Sequence, residues 1–143
     1  MPILQRTAAL GITGSAVAAL LLGTASQAQA DTGVRCDWGS YCMAFYYNSD
    51  LKGSYTYFIK REYASLDGIK FLGEGAGKGQ SVKNNAASAW NGTQWKMQVY
   101  FNSNWTGPCD SIPSYKYAPR LNYTYNDNAS FAYGRSDAHC WMF

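Results

Sequence analysis

The only histidine of the chain, His139, stands next to Cys140, and an imidazole beside a thiol is the pairing that nucleophilic catalysis uses. That chemistry requires a free thiolate. The chain carries four cysteines, Cys36, Cys42, Cys109 and Cys140. An even set in a small exported domain reads as two disulfides, and three connectivities are open. The five residues between Cys36 and Cys42 permit a tight turn, which favours that pair and leaves Cys109 to join Cys140. A bridged Cys140 is no nucleophile. The spacings, with one distant histidine, do not match the usual zinc patterns. Glu62 and Glu74, the only glutamates, fall in a loop-like stretch and give no support for a glycosidase pair. The glycines between Gly73 and Gly79 fail both phosphate-binding signatures. Leu72 occupies the first glycine position of a P-loop, Gly79 follows Lys78 where Ser or Thr belongs, and Lys78 or Gln80 fills the last slot of the dinucleotide fingerprint. That run is expected to be a flexible solvated loop, and the chain is expected not to be an enzyme.

The elements that would position these residues begin after residue 30. Residues 1–7 carry one charge, Arg6; residues 8–23 are small and apolar; and Ala28, Gln29 and Ala30 form a small-x-small exit. This is the order of a secretory signal peptide over 1–30, too short to span a bilayer comfortably, with 31–143 as a single mature domain. The expected location is extracellular, and the mature form is expected to be a monomer that touches no membrane. Removing Arg6 from the 12 Lys and Arg leaves 11 against 9 Asp and Glu. With no basic run longer than Lys60-Arg61, a nucleic-acid partner is excluded. The aromatic residues all lie beyond the leader, and with the Gly, Asn and Ser clusters between them they favour strands joined by turns.

The chain says two things twice. Tyr46, Asn48, Ser49 and Gly53 recur as Tyr100, Asn102, Ser103 and Gly107, an offset of 54. Asn84, Ser88 and Gly92 recur as Asn126, Ser130 and Gly134, an offset of 42. Each half thus holds an aromatic-to-glycine phrase and a later Asn-rich phrase, and the first half carries twelve extra residues between them. Alternation and turn signals place strands at 43–47, 54–59, 69–72, 96–101, 115–117, 121–125 and 130–133, with 81–90 partly extended. Two such halves make an all-β sandwich of two Greek-key motifs, stabilised by disulfides.

An aromatic residue followed seven positions later by glycine, then an Asn/Asp phrase ending in serine, twice over, resembles the βγ-crystallin domain. Together with the leader and the tight cysteine loop, the phrases are similar to secreted bacterial proteins of peptidase inhibitor family I36. The resemblance implies that Ser88 and Ser130 pack their hydroxyls onto the hairpins of Tyr46 and Tyr100, where Gly53 and Gly107 take backbone angles closed to other residues. It implies, secondly, two calcium sites, for which Asn85, Ser88, Asp127 and Ser130 are the candidates. Here the last position of the calcium pattern is Ala89 in one copy and Phe131 in the other, and Asp127 is the only carboxylate, so any site is expected to be weak. No other cofactor is expected.

The resemblance implies a secreted protease as target. Tight inhibition needs a stiff exposed segment, and Pro108 and Pro113 flank one that Cys109 ties down. Cys109, Asp110, Ser111, Ile112 and Pro113 are therefore nominated as the inhibitory loop. A rival function is a crystallin-like module for cell-surface polysaccharide, with Trp38, Trp95, Trp105 and Trp141 as stacking platforms. An antimicrobial or toxin-like role is a third.

Overall fold

The computed structural model describes residues 41–59 and 61–143. The expected leader, Cys36 and Trp38 lie outside them. Eight strands run through the described residues: β1 Cys42–Asn48, β2 Lys52–Ile59, β3 Ser88–Asn91, β4 Met97–Asn102, β5 Thr106–Ile112, β6 Tyr117–Ala118, β7 Ser130–Tyr133 and β8 Cys140–Met142. A single 3-10 turn, Ser103–Trp105, joins β4 to β5. No helix among the described residues is long and apolar enough to cross a membrane.

The strands form two four-stranded sheets, in the orders β2-β1-β3-β6 and β7-β4-β5-β8. Period-two alternation decides which side chains meet between them. Along β2, Ser54, Thr56 and Phe58 point inward and are buried, while Tyr55 and Tyr57 share the outer face with ring centroids 4.8 Å apart. Phe45, Phe58 and Phe131 meet edge to face at 5.1 to 5.9 Å in the centre of the interior. Met43, Met97, Val99, Ile112 and Leu121 close around them.

The two sheets exchange their third segments. Tyr63 and Phe131 trade both backbone hydrogen bonds at 3.1 Å, so the first half adds a bridge to the edge of the second half's sheet. In return, β6 of the second half pairs with β3 of the first. This interleaving is that of two Greek keys sharing one core, and the expected fold class stands.

Three expected strands are corrected. Residues 121–125 alternate as a strand does, yet they form a turn, because Asp110 draws three of their backbone N–H groups. Residues 69–72 make only an isolated bridge, Lys70 to Ser81. Of 115–117, only Tyr117 belongs to a strand, β6, whereas 81–90 is partly extended as expected, its end forming β3. The glycine run is no free loop either. Ala76 O accepts from Ser54 N at 2.8 Å, Tyr55 O accepts from Leu72 N and Gly73 N, and a Cβ at Gly77 would fall 2.1 Å from the Tyr47 ring. The run lies flat on the β1–β2 hairpin and caps the outer edge of β2.

Candidate functional site

The repeated phrases meet at two matching clasps. Tyr46 pairs with Ser88, and Tyr100 with Ser130, in the same register. Ser88 Oγ donates to Asn48 O at 2.6 Å and accepts from Leu51 N at 3.1 Å; Ser130 Oγ donates to Asn102 O at 2.6 Å and accepts from Trp105 N at 3.1 Å. Each hydroxyl thereby satisfies a carbonyl and an amide of a folded hairpin tip that would otherwise be left unpaired. Gly53 and Gly107, at φ of 76° and 81°, make the return turn in the left-handed region.

Between the motifs, the two Asn-rich phrases bond each other with the same symmetry. Asn84 N donates to Asn128 O at 2.9 Å, and Asn126 N donates to Ala86 O at 3.0 Å. The symmetry then breaks, because the position of Ala86 in the first phrase holds Asn128 in the second. The Asn128 side chain, fully buried, accepts from Ala86 N at 3.0 Å and donates to Val82 O at 2.9 Å.

These phrases do not fit calcium. The ion takes six to eight oxygens, with carboxylates raising affinity. Both serine hydroxyls are committed to their clasps, the Asn85 amide is turned onto Lys83 O at 3.2 Å, and the carbonyls of Ala86 and Asn128 already accept hydrogen bonds. Asp127 is exposed and brings one carboxylate. No group of three His, Cys, Asp or Glu side chains able to hold a metal occurs among the described residues.

A different locus gathers at the start of β5. Thr106, Gly107 and Pro108 are exposed, and the chain then dives inward at Cys109, which is bridged to Cys140 on β8. Strand β8 runs parallel to β5 and covers its edge from Cys109 to Ser111. Cys42 is also disulfide-bonded; Cys36, the partner expected for it, lies outside the described residues. The loop that carries β8 is fixed by Asp137. Its Oδ1 accepts from Ser111 Oγ at 2.7 Å and Gln98 Nε2 at 2.8 Å, and its Oδ2 binds Lys96 Nζ. Burial pushes this carboxyl upward, but the bonds from Lys96, Gln98 and Ser111 outweigh it and hold Asp137 below the usual carboxylate range.

Asp110 anchors the other wall. Fully buried, it accepts from Asn122 N, Tyr123 N, Thr124 N and Thr124 Oγ1 at 2.6 to 3.2 Å. That grip presents Tyr123, 47% exposed, edge-on to Trp141, 45% exposed, with centroids 6.2 Å apart. Gly107, Pro108, Tyr123, Ala138, His139 and Cys140 enclose a cleft of about 650 Å³.

The nominated loop is therefore corrected. Cys109, Asp110, Ser111 and Ile112 are buried in a strand paired on both sides, and only Pro113 reaches partial exposure. Asp110 and Ser111 work as anchors, for Tyr123 and Asp137 respectively. The exposed part is the three residues before Cys109. His139 lines the cleft, beside a Cys140 whose thiol is spent on the disulfide. The two glutamates serve structure: Glu62 accepts from Tyr133 N at 2.9 Å and pairs with Arg135 at 3.0 Å, and Glu74 pairs with Lys78.

Among protein families, the model described as Peptidase inhibitor family I36 matches residues 29–112. No curated protein matches the chain. Solved structures of similar shape are βγ-crystallin domains. The N-terminal domain of protein S is 18% identical, with a TM-score of 0.51 over 65% of this chain and 94% of that one. A βγ-crystallin from Ciona intestinalis is 9% identical, with a TM-score of 0.52 over 65% of this chain and 99% of that one. A domain solved for the evolution of the eye lens βγ-crystallin fold is 10% identical, with a TM-score of 0.55 over 73% of this chain and 95% of that one. These likenesses concern the fold.

Proposed function

From the fact that the chain belongs to peptidase inhibitor family I36, we propose that it binds its target peptidase through Thr106, Gly107 and Pro108, with Tyr123, His139 and Trp141 as flanks. One observation carries this assignment. The two hairpins are equivalent, yet the first is covered and the second is open at the same position. Ser54, in the first copy, is fully buried and donates its N–H to Ala76 O; Pro108, its equivalent at an offset of 54, is exposed and has no N–H to donate.

The open tip is already stiff. Pro108 fixes its own φ, the Cys109–Cys140 bridge pins the next residue, and the Ser130 clasp holds Trp105 immediately before it. Docking such a segment costs little conformational entropy, which is how a small inhibitor reaches high affinity. Exposed Tyr123 and Trp141 add the large, rigid apolar surfaces on which interface energy concentrates. In this reading the protein acts outside the cell, as a monomer, by occupying the peptidase without turning over a substrate and without calcium.

The test converts the open tip to the sequence of the covered one. A Thr106→Lys, Pro108→Ser double variant is to be titrated against a panel of secreted metallo- and serine endopeptidases alongside the unaltered protein. Inhibition should fall by at least about tenfold while the thermal transition moves little. Unchanged inhibition in a folded double variant sinks the assignment.

A further inference from the structure

A second concave site lies at the other end of the second sheet. Along β4, Tyr100 faces Cys109 of the disulfide corner, whereas Met97, three residues earlier, faces Tyr133. Beyond Met97 the residues Tyr41, Thr93, Gln94, Trp95 and Tyr133 enclose about 480 Å³, within the range of small-molecule sites. Trp95 is 50% exposed, and its ring stands 6.3 Å from that of Tyr41 at 43°, an open V.

The platform under Trp95 is built, and the builder is Asn91. This side chain is fully buried and spends its amide on the loop. Its Nδ2 donates to Trp95 O at 2.8 Å and to Ile112 O and Pro113 O at 3.0 Å, and its Oδ1 accepts from Thr93 N at 3.1 Å and Thr93 Oγ1 at 2.7 Å. Gly92 N donates to Cys42 O at 2.8 Å and Tyr115 N donates to Thr93 O at 3.2 Å. A loop so heavily bonded has little freedom left to lose, yet it holds a large aromatic ring out in water. Preorganised aromatic surface of this kind is what a ligand site needs.

A second observation points the same way. The Tyr133 hydroxyl is buried with no hydrogen-bond partner. Because solvent does not reach that oxygen, Tyr133 adds apolar surface to the cavity rather than a polar contact, as an aromatic site requires. The polar wall is the exposed Gln94 amide, which offers both donor and acceptor. No charged side chain is among the described residues that line the cavity.

We propose that this cavity is a binding site for a neutral sugar ring. A pyranose presents a flat patch of C–H groups to an aromatic face and a rim of hydroxyls to an amide, and it carries no charge for the walls to answer. Two other described tryptophans sit in different settings: Trp105 lies under Arg135 at 4.2 Å and donates its Nε1 to Phe131 O at 3.0 Å, and Trp141 stands edge-on to Tyr123 at the cleft beside the open tip. The site does not depend on the inhibitory tip, so peptidase inhibition and sugar binding are separable.

The experiment titrates the purified, oxidised protein with glucose oligomers and N-acetylglucosamine oligomers, read by isothermal calorimetry and by tryptophan fluorescence. A saturable response to at least one of these neutral series is expected. Calorimetry on Trp95→Ala should show affinity down by at least about tenfold, on Gln94→Ala down several-fold, and on Trp141→Ala unchanged. Trp95→Ala should still inhibit a peptidase that the unaltered protein inhibits, which reports that it is folded. Absence of any response to these oligomers at tens of millimolar overturns the proposal, as does binding that survives Trp95→Ala or that appears only with charged polymers.

Discussion

The first and second hairpins of this molecule share a register, a serine clasp and a left-handed glycine, and they differ in what lies against their outer edges. The first is dressed by the glycine run around Gly75, which buries Ser54; the second is edged by β8, held with a disulfide, and leaves Thr106, Gly107 and Pro108 bare. The same folded tip thus becomes scaffold in one copy and candidate contact surface in the other. What separates them is twelve residues of insertion and the Cys109–Cys140 bridge to β8. A duplicated unit acquires a new use by losing cover at one copy, while the other copy supplies stability.

Breaking the cross-link should be the largest perturbation. Cys109→Ser with Cys140→Ser opens a loop spanning 31 residues, and about 2–5 kcal/mol of stability should go, together with inhibition, as read by denaturant melts and a peptidase assay. Next come the clasps. Ser88→Ala and Ser130→Ala each strand a hairpin amide and a carbonyl, and each should cost about 1–3 kcal/mol. Equal losses would affirm the equivalence of the copies, whereas inhibition should suffer only in Ser130→Ala, because Trp105 precedes the open tip.

The third perturbation is acidification. Asp137 has a folded pKa below its unfolded value of 3.8, so its stabilisation is complete above that value and is lost as the pH falls through the lower folded one. Asp137→Asn should therefore be less stable than the unaltered protein by about 1–2 kcal/mol at pH 7, and the gap should narrow as the pH falls below the usual carboxylate range. A gap that persists in acid would assign the effect to packing instead. Smallest of all is calcium: millimolar ion should leave the melting temperature unmoved, and a clear rise would show that the phrase interface opens to admit it.

Much of this comparison is legible in the amino-acid sequence. The offset of 54 between Tyr46 and Tyr100 and the shared Asn-rich phrase carry the clasps, because a serine repeated at a fixed distance from a repeated aromatic needs a repeated partner. The segment from Cys109 to Pro113 is expected as an exposed loop because Pro108 and Pro113 stiffen it and Cys109 ties it down. Yet the offset of 54 maps it onto Tyr55–Ile59, the second part of β2. Local propensity lost to strand pairing, and the repeat held the information. Residues 121–125 erred in the opposite direction: their alternation is real, but a buried carboxylate twelve residues upstream claims their amides for a turn. Such a capture leaves no local trace. The Asn91 knot beneath Trp95 escaped for the same reason, its partners at residues 112 and 113 being distant in sequence.

Because Tyr63 belongs to the sheet of the second half and β6 to that of the first, neither half keeps a finished sheet if the other melts. Unfolding should then be all or nothing, with no half-denatured species for an enzyme to trim. For a molecule meant to sit against a protein-cutting enzyme, that interlock is a form of self-preservation: a single stray cut outside the disulfide-closed loop would leave both pieces held in one shared interior.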